Sequence, residues 1–105
     1  MRGRNMELED IKGHLDADGR VTQMPSKKKK KIYVLSYLAD RIPTEQEFTE
    51  KEFSQLLDRL HTFKDAATLR REMYNYFLIN REDNGSMYTV NKDRLPAEEL
   101  VEKYC

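Results

Sequence analysis

Two amphipathic helical segments lie so close together in this sequence that they must pack against each other. Thr49 and Glu52 have the spacing of a capping box, and a helix-period apolar series follows them. That series consists of Phe53, Leu56, Leu57, Leu60 and Phe63. The pattern predicts one helix from Thr49 to near Thr62 and, with Asp65 as N-cap, another from Ala66 to Phe77. Only three or four residues connect the two helices.

The second of these helices has two distinct faces at about 100° per residue. We expect the inner face to carry Leu69, Met73, Tyr76 and Phe77. The opposite face carries Thr68, Arg71, Tyr74 and Asn75, with Arg70 on the flank. This outward face is polar and is therefore available to a partner.

A β-hairpin is expected directly after the second helix. Leu78–Glu82 and Met87–Val90 are strand-like, and Asp83–Ser86 between them contains an Asn-Gly pair that favours a tight turn. After Pro96 a last short helix is expected, with Leu95, Leu100, Val101 and Tyr104 available to dock.

The chain before the helix pair predicts a third, longer helix. Lys27–Arg41 carries a wide apolar stripe, and Ser26 is placed to cap it. Upstream, residues 7–15 predict a short helix through Leu8, Ile11 and Leu15. Residues 16–19 form a turn signal, and Arg20–Met24 alternates like a short strand.

The order of three helices and a hairpin is that of a winged helix-turn-helix. We therefore predict a mostly helical α+β fold, with a three-helix core, a C-terminal hairpin wing, and a short N-terminal helix and strand. The length of 105 residues allows one compact domain. We place an N-terminal helical extension at 1–15, the winged-helix-like domain at 16–91 and a C-terminal tail at 92–105.

Charge is balanced overall but unevenly distributed. The 19 basic and 19 acidic residues cancel, which removes the argument from a strongly basic whole domain. Residues 1–31 hold nine Lys/Arg against five Asp/Glu, whereas 32–105 hold ten against fourteen. The excess is concentrated in Lys27–Lys31, which is either a phosphate-binding stripe or a solvated helix start.

Several function classes lack the residues they need. No stretch resembles a membrane span or a signal peptide, so a cytoplasmic protein is expected. Cys105 is the single cysteine, and with only His14 and His61 beside it a zinc site would be short of ligands. Nucleophile elbows, phosphate loops and cofactor fingerprints are absent. We expect no enzyme, no cofactor and no metal.

The outward helix face suits double-stranded DNA. Arginine contacts guanine or phosphate, asparagine pairs with adenine, and hydroxyls bond phosphate oxygens. The candidate contact residues are Thr68, Arg70, Arg71, Tyr74, Asn75, the wing residue Arg81, and Lys27, Lys28, Lys30 and Lys31. A homodimer would present two such helices and both lysine runs. The same residues also fit an ordinary solvated surface, and Arg70 could instead tie its helix to Glu50 or Glu52.

Five motifs in order resemble a known family. They are Gly19–Pro25, the basic run before Tyr33–Ala39, Phe48–Glu52, Asp65 with Leu69–Glu72, and Asp83–Tyr88. Together they resemble domain-of-unknown-function family 2087 over roughly residues 15–90. That family is found alone and attached to bacterial ArsR-type regulators, so the resemblance implies a bacterial winged-helix-like module linked to transcriptional regulation.

The resemblance also suggests roles and shows one departure. It implies a helix cap for Asp65 and phosphate or base contacts for Arg70 and Arg71. The departure is Tyr74–Phe77, where the family typically continues with smaller aliphatic residues and a glycine.

A rival interpretation uses the same scaffold without DNA. Tyr33, Tyr37, Tyr74 and Tyr88 could form an aromatic surface for a protein partner or for dimerisation.

Overall fold

The computed structural model describes residues 11–82 and 87–105. Within them the α+β class is confirmed, with four α-helices and a three-stranded antiparallel sheet. In chain order the elements are α1 (Lys28–Asp40), β1 (Phe48–Thr49), α2 (Glu50–Asp58), α3 (Ala66–Asn75), β2 (Ile79–Arg81), β3 (Met87–Val90) and α4 (Ala97–Tyr104). A single 3-10 turn, Lys12–His14, precedes them. The start of the expected N-terminal helix and the Asn-Gly turn lie outside the described residues.

Helix α2 begins at the predicted capping box. The Thr49 hydroxyl accepts a hydrogen bond from the Glu52 N–H at 3.1 Å, and the Glu52 carboxylate accepts one from the Thr49 N–H at 2.9 Å. These two bonds satisfy backbone donors that the first turn of a helix leaves exposed. A local sequence signal therefore fixes this end of the helix.

The other end of α2 comes earlier than predicted, at Asp58 rather than near Thr62. The cause is a contact with a distant segment. The Val21 N–H donates to the Leu60 carbonyl, and the Thr62 N–H donates to the Val21 carbonyl, both at 2.9 Å. Residues 60–62 use their backbone groups in this pairing and so leave the helical path.

The predicted strand Arg20–Met24 is wrong for a related reason. Only Val21 pairs, through isolated bridges to Leu15 and His61. The turn before it forms as expected, because the Asp16 carboxylate accepts hydrogen bonds from the backbone of Asp18 and Arg20. These bonds, chiefly that from Arg20, lower the pKa of Asp16. Val21 is fully buried, so its side chain packs in the core although its segment does not form a strand.

Helix α1 crosses the centre of the molecule. It runs over Lys28–Asp40 with Lys27 at the N-cap, and the expected cap from Ser26 is not formed. Its second half is almost entirely buried, at Ile32 and at 34–39. Helix α4 packs against it, which confirms the helix expected after Pro96, with Leu100 buried and Tyr104 edge-on to Tyr76 at 5.1 Å.

The sheet has β3 in the middle and β1 and β2 at its edges. Phe48 pairs with Tyr88, while Ile79 pairs with Val90. The predicted hairpin strands are confirmed, but β1 was not predicted because it is only two residues long. Its pairing places the start of α2 directly beside the hairpin.

Helices α2 and α3 are joined by a buried imidazole. His61 is 3% exposed, its Nδ1 lies 2.6 Å from the Leu57 carbonyl, and its Nε2 accepts a hydrogen bond from the Asp65 N–H at 2.9 Å. Because the backbone N–H must donate, Nε2 is the acceptor and Nδ1 carries the proton that is donated to Leu57. His61 therefore links the last turn of α2 to the N-cap of α3.

Replacing this histidine is expected to destabilise the fold. His61→Ala leaves the Leu57 carbonyl and the Asp65 N–H without their partner and opens a cavity, at a cost of about 3 kcal/mol. Urea unfolding monitored by circular dichroism measures it. The matched control is His14→Ala, whose half-buried ring has no hydrogen-bond partner for Nδ1 among the described residues. An equal loss in both variants would contradict the linking role.

Helix α3 ends in a complete Schellman motif. The Leu78 N–H donates to the Met73 carbonyl and the Phe77 N–H to the Tyr74 carbonyl. The motif needs a left-handed residue at its centre, and Phe77 supplies it with φ of 60°. Phe77 is 62% exposed, so its predicted place on the inner face is wrong, whereas Leu69, Met73 and Tyr76 are buried as predicted.

Glycine at this position is expected to stabilise the protein. Phe77→Gly removes the steric cost of the left-handed conformation, but glycine also gives the unfolded chain more conformational freedom. The net result is an expected increase of about 0.5–1 kcal/mol in the free energy of unfolding. The measurement is again the free energy of unfolding in urea. Asn75→Gly, at the last residue of α3, is the control and should lower stability. If both variants destabilise, the strain argument fails.

Candidate nucleic-acid interface

A cleft of about 260 Å³ lies between the outward face of α3 and the hairpin. Its lining residues are Ala67, Arg70, Arg71, Tyr74, Arg81 and Tyr88. The α3 members are spaced so that they share one face of the helix, while Arg81 and Tyr88 are register partners on β2 and β3. The helix and the hairpin that follows it thus place three guanidinium groups around one opening.

Arg70 is held in a fixed position by the core. Its guanidinium donates to the Ser54 hydroxyl of α2 at 2.8 Å and lies 5.7 Å from the centre of the Tyr88 ring. The Tyr88 ring in turn stacks on Phe53, with centroids 5.6 Å apart. The alternative that Arg70 pairs with Glu50 or Glu52 is wrong, because Ser54 is the partner on α2.

Arg81 is oriented by a second aromatic ring. Its guanidinium lies 5.3 Å from the centre of the Tyr74 ring, and Tyr74 is 44% exposed. Stacking of this kind is worth about 0.5–1 kcal/mol at an exposed site. The contact also ties the hairpin to the end of α3, so the two sides of the cleft form one surface.

Within the described residues, no carboxylate forms a salt bridge with the arginines of the cleft. None of the salt bridges formed between residues 11–82 and 87–105 involves Arg70, Arg71 or Arg81. Arg71 is exposed at the rim. Three positive charges close together therefore favour an anion.

Four of the predicted contact residues, Arg70, Arg71, Tyr74 and Arg81, come together here. Thr68 and Asn75 lie outside the lining. Thr68 is half-buried, and its backbone N–H is used by the Asp65 cap at 3.3 Å. Asn75 is exposed at the last residue of α3.

The lysine run lies away from the cleft. Lys31 pairs with Glu72 at 3.4 Å, and Glu72 is on roughly the opposite side of α3 because successive helical residues turn by about 100°. Lys28 donates to the Tyr104 carbonyl at the end of α4 at 3.2 Å. Lys27 and Lys30 are exposed. Part of the run therefore holds helices together.

The four tyrosines of the rival interpretation do not form one surface. Tyr37 and Tyr88 are buried, at 8% and 4% exposure. The Tyr37 hydroxyl donates to the Gly19 carbonyl at 2.7 Å and so closes the turn before Val21. Tyr33 is half-buried, which leaves Tyr74 as the exposed member.

Sequence reasoning missed three supporting residues of the cleft. Ala67 lies three and four positions before the arginines, so helical spacing could have identified it. Tyr88 was assigned to the aromatic surface, whereas it forms the floor beneath Arg70. Ser54 carried no signal, because its contact depends on how α2 and α3 cross.

No group of three His, Cys, Asp or Glu side chains in 11–82 and 87–105 is placed to hold a metal ion. Among the described helices, none combines the length and apolar character of a membrane span.

The support that Ser54 gives to Arg70 can be tested with a matched pair of serines. Ser54→Ala removes a charge-assisted hydrogen bond, so we expect a loss of about 1 kcal/mol in the free energy of unfolding and greater mobility of the Arg70 side chain by ¹⁵N relaxation. The control is Ser36→Ala in α1, since the buried Ser36 hydroxyl has no hydrogen-bond partner among the described residues. It should be neutral. Unchanged Arg70 mobility in Ser54→Ala would show that the bond does not hold the guanidinium.

Comparison with known proteins places the chain in a family. The family model described as "Uncharacterized protein conserved in bacteria (DUF2087)" matches residues 20–90. No curated protein and no solved structure matches. The matched region spans α1, the α2–α3 pair and all three strands, including every residue that lines the cleft. The chain therefore belongs to the DUF2087 family of uncharacterised proteins conserved in bacteria.

Proposed function

We propose that this protein is a winged-helix module that binds double-stranded DNA and acts in transcriptional regulation. Helix α3 enters the major groove, and the β2–β3 hairpin follows the adjacent backbone as the wing. The supporting element order is α1, β1, α2, α3, β2, β3, with β3 between the other two strands. This order leaves the outward face of α3 next to the hairpin, as a groove-binding helix and its wing require.

The observation that carries the proposal is the cleft with three guanidinium groups. DNA binding depends on neutralising backbone phosphates, and arginine also reads guanine through paired hydrogen bonds. Arg70 and Arg71 approach the DNA from the helix, and Arg81 approaches from the wing. No ion pair with a described carboxylate has to break first.

Other candidate residues take secondary roles in this proposal. Thr68 and Asn75 flank the cleft on α3 and supply a phosphate contact and an adenine contact. Lys27 and Lys30 are exposed on another side of the molecule. They reach DNA only if a second copy of the chain is present, so a homodimer is part of the proposal.

The net charge determines how strongly we expect the protein to bind DNA. With a net charge of zero, the molecule has no general attraction for DNA, so binding depends on the local field of the cleft. We expect micromolar affinity for random-sequence duplex at low salt, decreasing steeply as salt is raised.

Fluorescence anisotropy of labelled random-sequence duplex at two salt concentrations tests the proposal, with oligomeric mass recorded in the same buffers. Arg71→Ala and Arg81→Ala should each weaken binding about tenfold and reduce the salt slope by about one, as expected for one lost phosphate contact. Lys103→Ala on α4 removes the same charge far from the cleft and is the control.

No binding of the unmodified protein at low salt would contradict the proposal. Equal effects of all three substitutions would also contradict it, because binding would then follow net charge and not the cleft. A stable oligomer without DNA binding would favour the protein-interaction alternative.

A further inference from the structure

We infer that the cleft between α3 and the hairpin is a discrete site for one phosphate group, not merely part of a diffuse positive surface. The inference deepens the proposed function and rests on it for the backbone of DNA as the source of the phosphate. The shared chemistry is a phosphate ester, which a DNA backbone, a strand end and a free nucleotide all carry.

Stacking orients the arginine donors. A guanidinium is planar, and its five N–H donors point outward in that plane. Arg70 lies over the Tyr88 ring and Arg81 over the Tyr74 ring. These contacts are with aromatic rings and not with a carboxylate, so they do not use the N–H donors in ordinary hydrogen bonds. Arg70 uses one of them on Ser54, and the others remain for a ligand in the cleft that both arginines line.

The site is also preorganised. Ordering a free arginine on binding costs side-chain conformational entropy. Here Arg70 is fixed by Ser54 and by the Tyr88 ring, which rests on the fully buried Phe53. Arg81 is fixed by Tyr74. Much of this side-chain entropy is therefore lost during folding and not on binding, and only Arg71 at the rim remains to be ordered.

Charge selects the kind of anion. Three like charges around one opening repel one another, and no described carboxylate pairs with them. A tetrahedral oxyanion has several oxygens, so two of them can pair with the two N–H donors of an arginine fork, whereas chloride is a single atom and cannot pair in this way. A phosphate monoester, with a charge near −2, gains more here than a diester with −1. The small side chain of Ala67 in the lining leaves room for the group.

The first experiment uses inorganic phosphate as the probe, at constant ionic strength against chloride. Arginine side-chain ¹H–¹⁵N spectra are recorded during the titration. We expect saturable shifts of Arg70, Arg71 and Arg81, with affinity reduced at least tenfold in Arg71→Gln and in Arg81→Gln. Lys103→Gln should bind phosphate as the unmodified protein does. Circular dichroism confirms that each variant is folded.

A further variant isolates preorganisation from charge. Tyr74→Leu keeps all three arginines and removes the ring beneath Arg81. Because Tyr74 is exposed, the fold should tolerate the change. We expect phosphate affinity to decrease severalfold. Unchanged affinity would overturn the claim that stacking prepares the site.

Competition identifies the source of the phosphate. Duplex with hydroxyl ends, the same duplex with 5′-phosphates, and a 5′-mononucleotide are each used to displace inorganic phosphate. Displacement by hydroxyl-ended duplex supports the site with the DNA backbone as source. Displacement only by the phosphorylated ligands supports the site with terminal phosphate as source.

The two proposals can fail separately. DNA binding without saturable phosphate shifts in the three arginines overturns the discrete site and leaves the proposed function intact. Saturable phosphate binding without any duplex binding supports the site and overturns the proposed function.

Discussion

The buried imidazole of His61 is the contact on which the positions of the other elements depend. One ring nitrogen donates to the end of α2 and the other accepts from the N-cap of α3, so the two helices meet at a fixed angle. The backbone of His61 is also held in place by a β-bridge to Val21 of the N-terminal segment. The connection is short, and a polar side chain inside it pairs with the buried Leu57 carbonyl and with the N–H of the Asp65 cap.

That fixed angle determines where charge appears on the surface. Because α3 crosses α2 where it does, Arg70 reaches Ser54, and the same crossing places the Tyr88 ring beneath the guanidinium. Phe53, Tyr88 and Arg70 form a continuous stack from the fully buried interior to the cleft. The cationic site is thus an extension of the core and not a set of loose surface side chains. A substitution at Phe53 would therefore change the position of Arg70 in the cleft, because Tyr88 contacts both side chains.

The sequence predicted the features that depend on near neighbours. The capping box at Thr49, the Asp65 cap and the hairpin strands each follow from residues a few positions apart. It could not predict the early end of α2, because Val21 competes for the backbone there from almost forty positions away. Phe77 was misplaced because helical periodicity was extended two residues past Asn75, into the Schellman motif that ends the helix.

In the candidate site, too, the sequence predicted what depends on residues close together in the chain and missed what depends on distant contacts. Helical spacing identified Arg70, Arg71 and Tyr74 as neighbours, and the hairpin following the helix brought in Arg81. The lysine run was included for its charge alone, but the Lys31 pair with Glu72 lies across the helix from the cleft. Composition indicates how much charge a chain carries, whereas the crossing of helices decides which charges share a surface.

The pairing of β1 with β3 has a consequence for the order of folding. Phe48 meets Tyr88 forty positions further along the chain, whereas the His61 contacts span only four. Closing the longer loop costs more chain entropy, and contacts of high sequence separation slow folding. The helix pair is therefore expected to assemble before the sheet closes. Because the Tyr88 ring in the cleft rests on Phe53, thirty-five positions earlier in the chain, the cleft reaches its final form only when this long-range packing is complete.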